Sequence, residues 1–151
     1  MPRAKRDLHD WPSLNLWLYS IGLDDDHIRK YFFYTALVNY FPGSVGGSHR
    51  VPTSEEIKNE QQRLVKTINS FKPDLIVPIG KLSLAYCLRQ KAEKLKDFIG
   101  KSFNIDPYGA LQRKMLVIPL PHPSGASTWR HSEDNKALLK KALNLLKANL
   151  F

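Results

Sequence analysis

The sequence has 151 residues, of which 42% are hydrophobic and 25% charged, as expected for one soluble globular domain with a buried core. Lysine and arginine number 23 against 14 acids, and the net charge of +9 favours a polyanionic partner, although a basic surface that only aids solubility would look the same. A single cysteine, Cys87, excludes an internal disulfide and a four-cysteine zinc or iron–sulfur site.

The amino-terminal third predicts a helix, a strand and a loop. Residues 7–12 contain acids and a proline rather than an apolar run, so we expect no signal peptide. Apolar residues at helical spacing predict a helix from about Ser13 to Ile21, with Gly22 as its stop. Residues 31–38 (YFFYTALV) are typical of a strand buried on both faces, and residues 39–52 predict a glycine-rich loop.

The middle of the chain predicts a capped helix and a strand. Thr53 and Glu56 form a capping box that opens a helix ending near Phe71. Residues 74–79 (DLIVPI) predict a buried strand, which Gly80 turns into the next helix. Residues 89–113 show no clear pattern and predict a helix end followed by long loops.

The carboxyl-terminal third predicts a last strand and a last helix. Residues 114–120 (KMLVIPL) predict the strand, and Ser132 caps a helix with acids in its first turn. The buried stripe of this helix is predicted at Leu138, Leu139, Ala142, Leu143, Leu146 and Leu150. Apolar strands alternating with helices indicate the α/β class, so we expect residues 1–151 to form a single domain, a three-layer α/β/α sandwich with a short central parallel sheet. No apolar run reaches the roughly 18 residues of a membrane span, and one cysteine fits a reducing cytoplasm.

Chemistry is expected at the carboxyl ends of these strands, where open parallel sheets bind ligands. His122 follows the last strand between two prolines, and Ser124–Ser127 (SGAS) adds small side chains with accessible amide and hydroxyl donors. Such a loop can approach a phosphate closely. The competing interpretation is that His122 is a turn residue whose imidazole binds a loop carbonyl.

Leu120–Ser127 (LPHPSGAS) resembles the second signature motif of uracil-DNA glycosylases. Residues 34–43, 52–57 and 72–80 occur in the order seen in bacterial and archaeal members of that superfamily. The resemblance implies DNA as partner and hydrolysis of the N-glycosidic bond of uracil, or of a related deaminated base, after the base is flipped out of the stack.

The resemblance also implies roles for individual residues. His122 matches the donor that stabilises charge on the uracil O2. The positions implied in the base pocket are Thr35, Ala36 and Asn39, and those implied in DNA binding are Ser124, Gly125, Ala126, Ser127, Arg130, Lys81 and Arg50. Ser124 and Ser127 match phosphate-gripping positions, whereas each of the basic residues could equally be a solvated surface charge.

Three departures from the family pattern qualify this expectation. The water-positioning motif, a Gly-rich turn with an acid or Asn, is not found in the dozen residues before Leu14. Thr35 is followed by Ala36 rather than by the Asn of the iron–sulfur branch, whose cluster cysteines would align near residues 40 and 60, so we expect no cluster, metal or other cofactor. Ala126 stands where many relatives carry a bulky wedge, which favours single-stranded or mismatched DNA as substrate.

Two alternatives to an active glycosylase therefore remain open. One is a catalytically impaired DNA-binding module, or a fragment of a glycosylase, that keeps the His-Pro-Ser-Gly phosphate-gripping loop. The other is an unrelated α/β protein that binds a phosphorylated small molecule at the same strand ends.

Overall fold

A computed structural model describes residues 12–32, 44–45, 48–49, 53–91, 94–109, 111–123 and 132–150. Its helices are α1 (Pro12–Ser20), α2 (Asp25–Tyr31), α3 (Ser54–Phe71), α4 (Lys81–Leu88) and α5 (Glu133–Leu150). Its strands are β1 (Ser44–Val45), β2 (Ser48–His49), β3 (Leu75–Ile76), β4 (Phe103–Ile105) and β5 (Met115–Val117). Short 3₁₀ turns occur at Leu95–Asp97 and Pro107–Gly109.

The main sheet that is described has three strands in the order β3-β5-β4. β3 pairs with β5 in parallel, with Leu75 opposite Leu116, as the apolar strand pattern predicts. β4 pairs with β5 in antiparallel, with Phe103 opposite Val117, so the sheet combines the predicted parallel pair with one antiparallel edge strand. The prediction of only a helix end and loops over residues 89–113 is wrong, because β4 lies there.

The parallel strands are shorter than predicted because two prolines interrupt their ladder. Residues 74–79 and 114–120 contribute only two and three residues to regular strands. Pro78 and Pro119 have no N–H to donate to a neighbouring strand. The pairing resumes beyond them as a parallel bridge between Ile79 and Leu120.

The caps of α3 and α5 confirm the predicted helix starts. The Glu56 N–H donates to Thr53 Oγ1 at 3.1 Å, and the Thr53 N–H donates to Glu56 Oε1 at 3.0 Å, which completes the capping box. The Asn135 N–H donates to Ser132 Oγ at 3.1 Å at the start of α5. Each cap satisfies backbone groups that the first helical turn leaves without an internal partner.

The amino-terminal third contains a helix that the sequence pattern did not indicate. Asp24 caps α2 by accepting from the His27 N–H at 2.8 Å, and the His27 side chain reaches back to the Asp24 amide. Tyr31 is the last residue of α2, so the predicted strand does not begin there, and residues 33–38 lie outside the described residues. The predicted loop at 39–52 contains the antiparallel pair β1 and β2.

Helices cover both faces of the sheet, which confirms the α/β class. Leu75 and Val77 pack into a cluster formed by side chains of α1, α2 and α5. Ile76 packs instead into clusters formed by α3 and α4, together with Met115 and Val117. Successive residues of a strand point to opposite faces, so this alternation places one helical layer on each side. None of the helices within the described part of the chain is long and apolar enough to cross a membrane.

Candidate active site at the carboxyl edge of the sheet

Backbone hydrogen bonds hold the carboxyl ends of β3 and β5 together. The Leu120 N–H donates to the Pro78 carbonyl oxygen at 3.0 Å, and the Gly80 N–H donates to the Leu120 carbonyl oxygen at 2.9 Å. Gly80 is therefore held beside Leu120, which lies two positions before His122 in the chain. This edge of the sheet is where the sequence predicts a ligand site.

Gly80 provides a flat surface against which the His122 imidazole lies. Its φ of +87° and ψ of 165° belong to a backbone region that is almost exclusive to glycine. A Cβ placed on Gly80 would lie 3.4 Å from Cδ2 and 3.5 Å from Cβ of His122. The start of α4 thus approaches the ring to van der Waals distance, and the absent side chain makes that approach possible.

Prolines give the backbone on both sides of His122 a restricted conformation. Pro119, Pro121 and Pro123 are each less than 2% exposed, whereas His122 is exposed. Each proline ring fixes its own φ near −65°. A buried, preorganised backbone therefore presents an imidazole that a ligand can reach, as a catalytic donor requires.

The first turn of α4 contributes two exposed side chains near this edge. Lys81 follows Gly80 and is exposed, as its predicted role requires. Leu82 is 36% exposed and was not singled out from the sequence. Leu82 and Leu84 are separated by 200° around a helix axis, and Leu84 is fully buried, so the helical period would have indicated that Leu82 points elsewhere.

The amino end of β4 also lies toward this edge, because β4 is antiparallel to β5. Phe103 is opposite Val117, so the exposed Lys101 and Ser102 precede the strand on the side where β5 ends. The sequence interpretation missed this segment. The signal that could have found it is the apolar–polar–apolar order of Phe103, Asn104 and Ile105 after a glycine.

Residues 9–147 match the family model described as the uracil DNA glycosylase superfamily. The chain belongs to this superfamily. A type-4 uracil-DNA glycosylase of Saccharolobus solfataricus is 31% identical over 101 residues, which are 65% of this chain and 44% of that protein. A DNA polymerase of Bacillus phage SP01 is 30% identical over 111 residues, which are 74% of this chain and 10% of the polymerase. The chain thus spans less than half the length of either relative.

Within the glycosylase-like domain, the structure describes two of the predicted site residues. His122 lies against Gly80, and Lys81 is the next residue along the chain from Gly80. The other predicted positions lie outside the described residues and their roles stay predictions: Thr35, Ala36, Asn39, Arg50, Ser124, Gly125, Ala126, Ser127 and Arg130. In the described part of the chain, no three His, Cys, Asp or Glu side chains are grouped to hold a metal ion.

Cys87 belongs to the core of this glycosylase-superfamily domain and not to the site. It is fully buried and packs with Leu84, Leu88 and Val117. Burial raises the pKa of its thiol to about 12, and a hydrogen bond with Tyr108 partly offsets that rise. A thiol held protonated is a poor nucleophile, so Cys87 is chemically inert in the folded protein.

Proposed function

We propose that the chain is a monofunctional DNA glycosylase that hydrolyses the N-glycosidic bond of uracil, or of a related deaminated base, in DNA. One observation carries the proposal: in a chain of this superfamily, an exposed imidazole lies on a proline-restricted backbone against Gly80 at the carboxyl edge of the sheet. The net charge of +9 supports a DNA partner.

In the proposed reaction, His122 acts as a neutral hydrogen-bond donor. The bond between the uracil N1 and the sugar C1′ breaks, and its electron pair leaves with the base, so negative charge grows on the uracil O2. Water adds its oxygen to C1′, and its proton neutralises the released base, which leaves free uracil and an abasic site. A donor aimed at growing charge in such a site is worth roughly 3 to 4 kcal/mol in the transition state.

The substrate we propose is uracil in single-stranded or mismatched DNA. Flipping a paired base requires unstacking, and a bulky side chain can compensate by filling the vacated space. Ala126 offers only a methyl group at the position where many relatives carry that wedge. A base that is already unpaired needs less assistance to enter the site.

The test is excision of uracil from a labelled single-stranded oligonucleotide, read as strand cleavage after alkali. His122→Ala should lower the single-turnover rate by at least about tenfold, and His122→Asn, which keeps an N–H donor, should lie between it and the unaltered protein. Lys114→Gln is the matched control, because Lys114 is exposed and precedes the opposite end of β5. Excision that is equal in all four proteins would assign the chemistry to other residues.

A DNA-binding module without hydrolysis is the second candidate. Its specific support is that 74% of the chain resembles part of a protein named as a DNA polymerase rather than as a glycosylase. The same oligonucleotide distinguishes the two candidates. Binding without cleavage by the unaltered protein favours the module, whereas cleavage that depends on His122 favours the enzyme.

A further inference from the structure

A second region of the protein concentrates positive charge on α5 and on the segment that precedes β4. We call it the lysine surface and define it as residues 94–101 together with helix α5 (Glu133–Leu150). Its basic residues are all exposed: Lys94, Lys96, Lys101, Lys136, Lys140, Lys141 and Lys147. These two segments hold seven lysines against three acids, Asp97, Glu133 and Asp134, in a chain whose net charge is +9. Helix α3, which has the same length as α5, balances three acids with three basic residues, whereas α5 holds four lysines and two acids.

The two segments are in contact at Gly100. A Cβ placed on Gly100 would lie 3.4 Å from the Leu138 carbonyl oxygen and 3.4 Å from Cδ of Lys141. The Lys141 side chain therefore lies across Gly100, next to Lys101. Beneath this contact, Ile99 belongs to the same core cluster as the buried residues of α5.

The lysine surface faces away from the sheet. α5 buries Ala142, Leu143 and Leu146 in the cluster that includes Val77 and Leu120 of the sheet region. Its four lysines lie outside this buried stripe and are exposed. Lys101 precedes β4 at the edge of the sheet where His122 follows β5, so the lysine surface extends to that edge.

Little within the described structure neutralises this charge. Lys136 pairs with Glu133 at 3.3 Å, and no other lysine of the surface forms an ion pair with the described residues. Lys136 and Lys140 lie one turn apart on α5, where like charges repel and destabilise a helix. The folded chain retains this repulsion, which an external anion would relieve.

The side chains around the lysines identify the kind of anion. The exposed large hydrophobic residues that the structure describes are Leu16, Tyr19, Phe71 and Leu82, and none belongs to either segment. Membrane-surface helices need an exposed apolar side, and protein interfaces rely on aromatic or apolar anchors. A polyanion with regularly spaced charges needs no apolar contacts, so it fits the lysine surface better than a membrane or a protein partner does. We propose that the lysine surface binds the phosphate backbone of DNA, independently of base sequence and of uracil.

The test measures the salt dependence of binding to a short undamaged DNA duplex. The triple variant Lys101→Gln, Lys140→Gln, Lys141→Gln removes three charges from the surface. The matched control, Lys58→Gln, Lys66→Gln, Lys114→Gln, removes three exposed lysines elsewhere. Each lost phosphate contact lowers the slope of log K against log salt by about 0.9, so the surface variant should lose roughly 2 to 3 from that slope and the control less than about 1.

Equal slopes for the two triple variants would overturn the proposal, as would an unaltered protein that does not bind the undamaged duplex. Circular dichroism should be unchanged in both variants and thermal stability should not fall, since every altered side chain is exposed and Lys140→Gln removes like-charge repulsion with Lys136. The uracil excision assay separates this inference from the proposed function. If the surface variant has a smaller salt dependence of DNA binding but the unaltered protein never excises uracil, the inference about the lysine surface stands and only the proposed glycosylase activity is refuted.

Discussion

Replacing Gly80 with alanine perturbs the contact that supports His122. The change adds one methyl group at a position whose backbone conformation only glycine adopts freely. The new Cβ would lie 3.4 Å from His122 Cδ2, which is ordinary van der Waals contact. The cost is therefore conformational rather than a steric clash.

The magnitude follows from the backbone angles. At φ +87° and ψ 165°, a residue other than glycine costs on the order of 1 to 3 kcal/mol. For a domain of this size each kcal/mol lowers Tm by roughly 2 to 4 °C. Relief of that strain would rotate the peptide whose N–H donates to Leu120 and displace the surface beneath the imidazole. Displacement of a catalytic group by about 1 Å can reduce the rate on the order of a hundredfold, so we expect excision to fall at least about tenfold.

Gly22→Ala provides the matched control for this experiment. Gly22 has a φ of +91°, and no atom lies within 4 Å of the position its Cβ would take. Thermal unfolding of both variants should show a comparable loss of stability, while single-turnover excision should fall only in Gly80→Ala. The reasoning is refuted if excision falls equally in both variants, or if Gly80→Ala changes neither Tm nor excision.

Four further substitutions test a helix cap, the core packing of α5 and the buried thiol. Thr53→Ala removes the acceptor of the Glu56 N–H and should lower the free energy of unfolding by about 1 kcal/mol in urea denaturation; an unchanged midpoint would contradict the capping box. Leu146→Ala empties a fully buried position and should cost about 2 to 5 kcal/mol, more than Leu150→Ala at a half-buried one. The raised pKa of Cys87, from 9.0 to about 12, stabilises the fold fully below pH 9, and this contribution is lost as the pH rises toward 12, because the unfolded chain ionises first. Between about pH 8 and about pH 11, the free energy of unfolding of Cys87→Ala should therefore fall less than that of the unaltered protein. An equal fall in both proteins, measured by urea denaturation at each pH, would argue against the raised pKa.

Local patterns were sufficient for the features that depend on neighbours in the chain. The Thr53–Glu56 box and the Ser132 cap each involve residues three positions apart, and the α5 stripe reflects the helical period. Helix α2 was not predicted because it is short and because its capping box uses His27 in place of Glu or Gln. The superfamily was recognisable from the His122 loop, since motif order is a property of the sequence alone.

The sequence by itself determined which segments form the longer helices, that apolar strands lie between them, and that His122 follows the last strand. Only the tertiary structure decided that β4 pairs with β5 in antiparallel, that Gly80 lies against His122, and that Lys141 crosses Gly100. Hydrophobic alternation predicts a strand but leaves its partner and direction open. Those depend on register and on packing between residues far apart in the chain, where the fit of whole layers outweighs local preference.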